Sequence, residues 1–379
     1  MNAQSIDQIF MARAIQLAKK GQYTTHPNPR VGCVIVKDNH IIGEGYHQIA
    51  GQPHAEVNAL ASVQKSQIDQ IENATAYVTL EPCSHTGKTP PCADFIVNLG
   101  LSRVVIAMLD PNPQVSGRGV KKLTDAGIEV SIGILEEQAR ALNLGFIKRM
   151  EHNKPFVRVK MAMSLDGKTA MASGESQWIT GSEARNDVQR LRAQADAILT
   201  GSGTVLEDNP SLNVRINPQN LNLENEEITE LKQPLRVVLD TDLKINTSAK
   251  MLGLSGKTLI YTCNSDSPKT QQLNQTNTEV KILTESKILV NEVLEDLASR
   301  EVNEIHVEAG ATLCGALLEA QCVDEIVIYM APTILGGDAK SLFNLPQLQS
   351  IKDKVNLEIK DIRAIGNDWR ITAIPVLSK

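Results

Sequence analysis

The feature that most constrains the fold of this chain is an alternation of short apolar runs with amphipathic stretches. In the first part, the apolar runs VGCVIV (31–36) and AYVTL (76–80) alternate with helix-like segments at about 6–20 and 54–64. Such alternation predicts a largely parallel sheet with helices on both faces, which is an α/β fold.

The length of 379 residues is large for one hydrophobic core and indicates two domains. A closing helix is predicted over 136–150, and Asn153-Lys154-Pro155 follows it as a boundary. Alternation then restarts with the strand PFVRVKMAMS and a helix at about 182–194. We therefore predict domains at 1–150 and 155–379. The polar, Asn-rich segment 216–233 is interpreted as a mobile surface insertion.

Composition disfavours several classes of function. The net charge is −6 and there is no long Lys/Arg run, which argues mildly against a nucleic-acid partner but leaves a local basic patch open. Asp7, Arg13 and the pair Lys19-Lys20 interrupt the N-terminal apolar residues, so we do not expect this segment to be a signal peptide. No apolar run is long enough to span a membrane. We expect a cytoplasmic chain whose partner is a small molecule, with no nucleic acid and no membrane.

Two cysteines differ from the other four in their surroundings. Cys83 and Cys92 lie in the polar, Pro-rich run EPCSHTGKTPPC, whereas the others lie in apolar segments typical of a core. His54 and Glu56 open a predicted helix in PHAEVNAL, and Cys92 opens the next one. One His and two Cys are ligands that suit Zn²⁺. We predict that His54, Cys83 and Cys92 bind zinc.

Three protein ligands leave a fourth position for water, which is typical of a catalytic zinc site. Zinc lowers the pKa of a bound water to roughly 7, and Glu56 can take its proton. One alternative is a structural zinc with His85 as the fourth ligand. Another is a zinc-stabilised interaction protein, in which Glu56 would be dispensable. His47 is a weaker candidate for contact with a substrate.

These motifs resemble those of the zinc-dependent nucleobase deaminases, which carry H-x-E followed by P-C-x-x-C. Here eight residues separate the two cysteines instead of two. This wide form, together with HPNPRVGCVIV, resembles the deaminase branch of the riboflavin pathway. The resemblance implies a cytidine-deaminase-like three-layer α/β/α domain with Asn28 in the pyrimidine pocket.

The rest of the chain resembles the reductase half of bifunctional riboflavin-pathway enzymes. The similarity is clearest in VKMAMSLDGKTAMASGESQWITG (159–181), in the following residues up to 215, and in HVEAGATLCGALL. It implies a dihydrofolate-reductase-like α/β domain that uses NADPH. The implied cofactor contacts are Ala162, Trp178, Thr204, Asp208, Gly310, Ala311, Thr312, Leu313, Cys314, Gly315 and Ala316. The implied substrate contacts are Lys160, Ser176, Arg192, Leu212, Arg215 and Glu308.

The residue types fit these roles but also allow simpler ones. Gly310 to Leu313 lie between a strand and a helix, where backbone N–H groups can hold a pyrophosphate or merely form a tight connection. Arg192 and Arg215 suit a substrate phosphate, and a surface salt bridge is the alternative for each. Trp178 can pack on the nicotinamide or in a core.

The resemblance implies two consecutive reactions. Zinc hydroxide would deaminate 2,5-diamino-6-ribosylamino-4(3H)-pyrimidinone 5′-phosphate, and NADPH would then reduce the ribosyl to the ribityl side chain, giving 5-amino-6-(5-phosphoribitylamino)uracil. It also implies a homodimer through the second domain. The alternative enzyme is a tRNA-base deaminase with a binding module, which the acidic balance and the reductase-like segments disfavour.

Overall fold

The structure is a computed structural model that describes residues 3–84, 91–113, 115–221, 223, 230–265, 267–274 and 277–376. The chain divides principally between Asn153 and Lys154 into two compact units, here called the first and the second unit. His85, and residues 222 and 224–229 of the predicted insertion, lie outside the described residues. Within the described ranges, no helix combines the length and the apolar character needed to cross a bilayer.

The described residues of the first unit form one five-stranded sheet with six α-helices. Its strands are β1 (Gly32–Lys37), β2 (His40–Tyr46), β3 (Thr75–Val78), β4 (Arg103–Ile106) and β5 (Glu129–Ile132), in the order β2-β1-β3-β4-β5. Its helices are α1 (Ala3–Ala18), α2 (Ala55–Ala61), α3 (Cys92–Val97), α4 (Arg118–Asp125), α5 (Glu136–Leu142) and α6 (Leu144–His152).

Helices cover both faces of this sheet, because successive buried residues of β1, β3 and β4 point to opposite sides. Val34 and Val105 pack with α1 residues such as Met11 on one face. Ile35 and Ile106 pack with α2, α3 and α4 on the other. The predicted three-layer α/β/α domain is therefore confirmed.

The prediction of a largely parallel sheet is wrong for half of this sheet's pairings. β1 runs antiparallel to both β2 and β3, whereas β3, β4 and β5 are parallel. Asp38 and Asn39 have φ values of 49° and 63°, the left-handed conformation that a two-residue hairpin turn requires. This turn sends β2 directly back along β1, without the crossover that a parallel pair needs.

The predicted closing helix is two helices, α5 and α6, separated at Asn143. The buried amide of Asn143 accepts a hydrogen bond from the Arg30 backbone N–H (2.7 Å) and donates to the Arg30 carbonyl (2.9 Å). The Arg30 guanidinium also donates to the Leu142 carbonyl at 2.7 Å. Asn143 leaves helical geometry (φ −129°, ψ 32°), and Arg30 instead bonds the Leu142 carbonyl, so the helix is interrupted there.

The second unit contains a nine-stranded sheet and a two-stranded sheet. Its strands are β6 (Phe156–Ser164), β7 (Lys168–Ala170), β8 (Ala197–Gly201), β9 (Leu235–Leu239), β10 (Thr258–Thr262), β11 (Thr278–Ile282), β12 (Glu304–Val307), β13 (Glu325–Ala331), β14 (Lys340–Ser341), β15 (Asn356–Ile365) and β16 (Asp368–Val376). Its helices are α7 (Ser182–Gln194), α8 (Ser202–Asp208), α9 (Ser267–Asn274), α10 (Val290–Ser299) and α11 (Ala311–Glu319).

The large sheet has the order β11-β10-β9-β8-β12-β6-β13-β16-β15, and the small one pairs β14 with β7. The first seven strands in this order, from β11 to β13, are parallel to their neighbours. At the other edge, β16 pairs antiparallel with β13, and β15 pairs antiparallel with β16. Helices α10 and α11 pack on one face, while α7, α8 and α9 pack on the other. The predicted α/β architecture is therefore confirmed for this unit too.

Candidate active site and metal centre

Three side chains of the first unit converge from separate elements. His54 precedes α2, Cys92 is the first residue of α3, and Cys83 lies in the loop after β3. The Nδ1 atom of His54 is 3.2 Å from the Cys92 sulfur and 3.7 Å from the Cys83 sulfur. Among the described residues, this is the one group of three or more His, Cys, Asp or Glu whose ligand atoms lie within 4.8 Å of one another.

The spacing of these atoms fits a single zinc ion. With Zn–N near 2.0 Å and Zn–S near 2.3 Å, tetrahedral geometry separates nitrogen and sulfur by about 3.5 Å. The measured separations of 3.2 and 3.7 Å bracket that value. A hydrogen bond from Cys92 lowers the pKa of Cys83, which favours its thiolate, and the same contact raises the pKa of Cys92.

Glu56 lies beside these ligands on the first turn of α2, and it is 5% exposed. Burial raises the pKa of Glu56 above its ordinary value, and the carboxyl also interacts with Cys83, His54 and Cys92. A buried carboxyl beside a metal site is suited to accept and return a proton. The structure thus brings together all four residues that the sequence predicted for this site.

Asn28 and His47 form a hydrogen-bonded pair next to His54. The Asn28 amide nitrogen is 3.1 Å from Nε2 of His47, and Nδ1 of His47 is 3.1 Å from the Pro53 carbonyl. Because a carbonyl only accepts, Nδ1 donates and Nε2 accepts from Asn28. The rings of His47 and His54 meet edge-on with centroids 5.3 Å apart. His47 thereby orients the Asn28 amide.

Glu81 was missed by sequence reasoning, although it stands in the same EPC motif as Cys83. Its carboxylate is 3% exposed and accepts hydrogen bonds from four backbone N–H groups. The available signal was a single acidic residue directly after the apolar run AYVTL, where a buried carboxylate needs several donors.

In the second unit, the predicted contacts cluster at the carboxyl ends of three adjacent strands. β8 leads into α8 with Thr204 and Asp208, and β12 leads into Glu308 and α11. β6 lies next to β12 and carries Lys160 and Ala162. Ligands of open α/β sheets bind at this edge. Thr204 lies in α8, which begins directly after β8.

Arg192 and Glu308 form a largely buried ion pair in this cluster. The Arg192 Nη2 atom lies 2.8 Å from the Glu308 carboxylate, and Nη1 donates to the Asn213 carbonyl at 3.0 Å. Lys160 and Arg215 lie close enough to interact with both charges. The surface salt bridge considered for Arg192 is therefore wrong, because this pair is buried. Arg215 is exposed and donates to the Asn213 side chain at 2.6 Å.

Trp178, Ser176 and Leu212 differ in which of their groups is available to a ligand. Trp178 is 70% exposed with the Arg185 guanidinium 4.6 Å from its ring centroid, so the alternative of a core tryptophan is wrong. The Ser176 hydroxyl donates to Asp208 at 3.5 Å. The Leu212 side chain is buried, and its backbone has the left-handed φ of 43°. Leu212 can therefore contact a ligand only through its backbone.

Residues 310–316 form the start of α11. Gly310 and Thr312 are exposed, and the backbone N–H groups of the first turn have no partner within the helix. Cys314 is buried, and Gly315 packs so closely that a Cβ would lie 2.0 Å from the Asn344 carbonyl oxygen. The exposed N-terminus is compatible with a cofactor pyrophosphate.

The fold and the site define a class: a cytidine-deaminase-type zinc unit joined to an α/β reductase unit. Residues 4–108 match the family model of the cytidine and deoxycytidylate deaminase zinc-binding region, and residues 155–371 match that of the RibD C-terminal domain. The chain belongs to the RibD family of riboflavin biosynthesis proteins. It is a deaminase and a reductase of riboflavin biosynthesis, with zinc and NADPH as cofactors.

Relatives match over the whole length. Riboflavin biosynthesis protein RibD of Escherichia coli (strain K12) is 48% identical over 367 residues, covering 96% of this chain and 97% of that protein. The Acinetobacter baumannii RibD structure, form 1, has a TM-score of 0.90 at 43% identity and covers 99% of this chain and 100% of that one. A Thermotoga maritima deaminase/reductase structure has a TM-score of 0.83 at 34% identity, with 99% and 100% coverage.

Proposed function

We propose that residues 1–150 deaminate 2,5-diamino-6-ribosylamino-4(3H)-pyrimidinone 5′-phosphate, and that residues 155–379 then reduce the ribosyl of the product to ribityl. The convergence of His54, Cys83 and Cys92 beside the buried Glu56 carries the first half of the proposal. The Thermotoga maritima relative, named as a diaminohydroxyphosphoribosylaminopyrimidine deaminase and 5-amino-6-(5-phosphoribosylamino)uracil reductase, supports the substrates.

In the first reaction, Glu56 takes a proton from the water that adds to the amino-bearing carbon of the pyrimidine. Glu56 then returns a proton to the amino nitrogen, so that ammonia leaves and a carbonyl remains. His54, Cys83 and Cys92 hold the zinc, which when bound lowers the pKa of water to about 7. Asn28, oriented by His47, binds the pyrimidine with its amide oxygen.

In the second reaction, NADPH supplies the hydride, and the protein contributes binding and orientation. Residues 310–313 and 316 at the start of α11, together with Ala162, Trp178, Thr204 and Asp208, contact the cofactor. Cys314 and Gly315 support this turn from within. Lys160, Ser176, Leu212, Arg215 and Glu308 contact the substrate, and Arg192 holds Glu308 in place. Arg215 is the exposed cation suited to the 5′-phosphate.

The proposed order of the two steps can be tested directly. The full chain is incubated with the diaminopyrimidine nucleotide, with and without NADPH, while ammonia and NADPH absorbance are followed. Ammonia is expected in both cases, and NADPH oxidation is expected only after ammonia appears. NADPH oxidation that precedes ammonia would reverse the order.

We also propose that the chain forms a homodimer and that it is cytoplasmic. β15 lies at one end of the large sheet, and its Ile359 and Ile362 are 57% and 53% exposed. An edge strand of ten residues that exposes these two isoleucines suits pairing with a second copy. All six cysteines lie in the described residues and are free thiols, as is usual in a reducing compartment.

A further inference from the structure

Glu81 lies between β3 and the zinc ligand Cys83, and its carboxylate accepts four hydrogen bonds. One of its oxygens, Oε2, accepts from the N–H groups of Asp110 (3.1 Å) and Gly117 (3.0 Å). The other, Oε1, accepts from those of Gly119 (2.8 Å) and Val120 (3.2 Å). Both oxygens are thus occupied by backbone donors, which leaves Glu81 no part in proton transfer.

The donors come from two segments that are distant in sequence from Glu81. Asp110 and Gly117 belong to the loop after β4, whereas Gly119 and Val120 form the first turn of α4. The backbone N–H of Glu81 also donates to the Met108 carbonyl at 3.0 Å. Glu81 therefore ties the loop that carries Cys83 to β4, to the loop after β4 and to α4.

Gly119 brings α4 into direct contact with the residue before the ligand. A Cβ at position 119 would lie 2.2 Å from the Pro82 carbonyl oxygen and 3.1 Å from Oε1 of Glu81. Both atoms lack the freedom to move away, because one is backbone and the other is fixed by two hydrogen bonds. The close approach therefore requires glycine.

Cys83 is held from the opposite side by α3. Its carbonyl accepts from the Ala93 N–H at 3.1 Å, and its sulfur accepts from the Cys92 N–H at 3.2 Å. The position of its sulfur relative to Cys92 and His54 therefore depends on α3 on one side and on the Glu81 contacts on the other.

We propose that Glu81 is a positioning residue of the metal centre, which sets the place of Cys83 against the other two ligands. This inference rests on the proposed ligand assignment. Groups that support metal ligands from behind typically change metal affinity by about 10- to 100-fold when they are substituted. Glu81 differs from the usual case because it acts through the backbone of the ligand loop.

The test is the zinc affinity of Glu81→Gln in the full chain, measured by competition with a chelator of known affinity. A Gln amide has one acceptor oxygen, so two of the four N–H groups would face an NH₂ donor instead. We expect zinc affinity to fall by about 10- to 100-fold in the folded protein. Glu137→Gln, at an exposed position of α5, is the matched control and should leave the affinity unchanged.

A second variant, Gly119→Ala, displaces the Pro82 carbonyl without removing the carboxylate, and it should lower zinc affinity in the same direction. Wild-type zinc affinity in folded Glu81→Gln overturns the proposal; if that variant does not fold, wild-type affinity in Gly119→Ala does so. Cys83→Ala distinguishes a failure of the ligand assignment from a failure of the positioning role. If it keeps full zinc, the ligand assignment itself fails, and if it loses zinc while Glu81→Gln does not, only the positioning role fails.

Discussion

Arg192 on α7 and Glu308 after β12 form a two-point ion pair in the second unit, with Nη2 of Arg192 2.8 Å from Oε2 of Glu308. Removal of the guanidinium would leave a largely buried carboxylate beside Lys160 without its main partner. We expect Arg192→Met to lower the rate of NADPH-dependent reduction by about 10²-fold, because Glu308 loses its orientation. Ammonia release by the first unit should be unchanged.

The control for this prediction is Arg190→Met, an exposed arginine of the same helix. Reduction should proceed in that variant as in the wild type. If Arg192→Met reduces its substrate at the wild-type rate, the ion pair has no part in the reductase site.

Zinc content distinguishes Cys83 from the cysteines outside the metal centre. Cys83→Ala removes one of three convergent ligands, so the purified protein should contain substantially less than one zinc per chain by elemental analysis. Cys263→Ala removes a free thiol of the second unit and should leave zinc unchanged. Full occupancy in Cys83→Ala would remove Cys83 from the ligand set.

Asp7 ties α1 to the sheet of the first unit. Its carboxylate accepts two hydrogen bonds from Arg103 and one from Tyr77, all at 2.8 Å. Burial alone would raise the pKa of Asp7, but the hydrogen bonds from Arg103 and Tyr77 outweigh it and lower the pKa. The stabilisation is therefore complete above the unfolded-state pKa of about 3.9 and is lost as pH falls through the lower folded-state value.

We accordingly expect Asp7→Asn to reduce the free energy of unfolding by about 2 kcal/mol at pH 7, and by less near pH 3. Denaturant unfolding of both proteins at the two pH values measures this difference. Asp69→Asn, at an exposed position, should show none at either pH. An equal deficit at both pH values would contradict the linkage, and a larger deficit near pH 3 would contradict its sign.

Self-association is predicted to depend on the exposed face of β15. The double variant Ile359→Lys with Ile362→Lys places two charges on that face and should shift a dimer to monomer in light scattering at micromolar concentration. Ile68→Lys, at a similarly exposed isoleucine of the first unit, should stay dimeric. Dimers that persist in the double variant would place the interface elsewhere.

Residue type and local pattern were sufficient to predict several features. Helix α7 has the predicted limits of 182–194, because its apolar residues recur at helical spacing between an entry glycine and Ala195. The zinc ligands were predictable because few other roles place one His and two Cys at the starts of helices and after a strand. Both the limits of α7 and the zinc ligands follow from residue types that are close together in the sequence or in short motifs.

Features that depend on distant partners were not predictable. The break at Asn143 depends on Arg30, and the buried role of Glu81 depends on N–H groups about 30 to 40 positions along the chain. The exposed tryptophan at position 178 and the buried arginine at 192 likewise reflect tertiary surroundings. No periodicity within a segment encodes which distant donor a carboxylate or amide will meet.

The most direct test of the central claim is to measure zinc content and ammonia release on one preparation of Glu56→Gln, beside Glu72→Gln as an exposed control. We predict one zinc per chain in both variants. Ammonia release should fall by about 10²- to 10⁴-fold in Glu56→Gln only, while NADPH oxidation with the deaminated substrate is retained. Ammonia release at the wild-type rate by zinc-loaded Glu56→Gln would contradict the account.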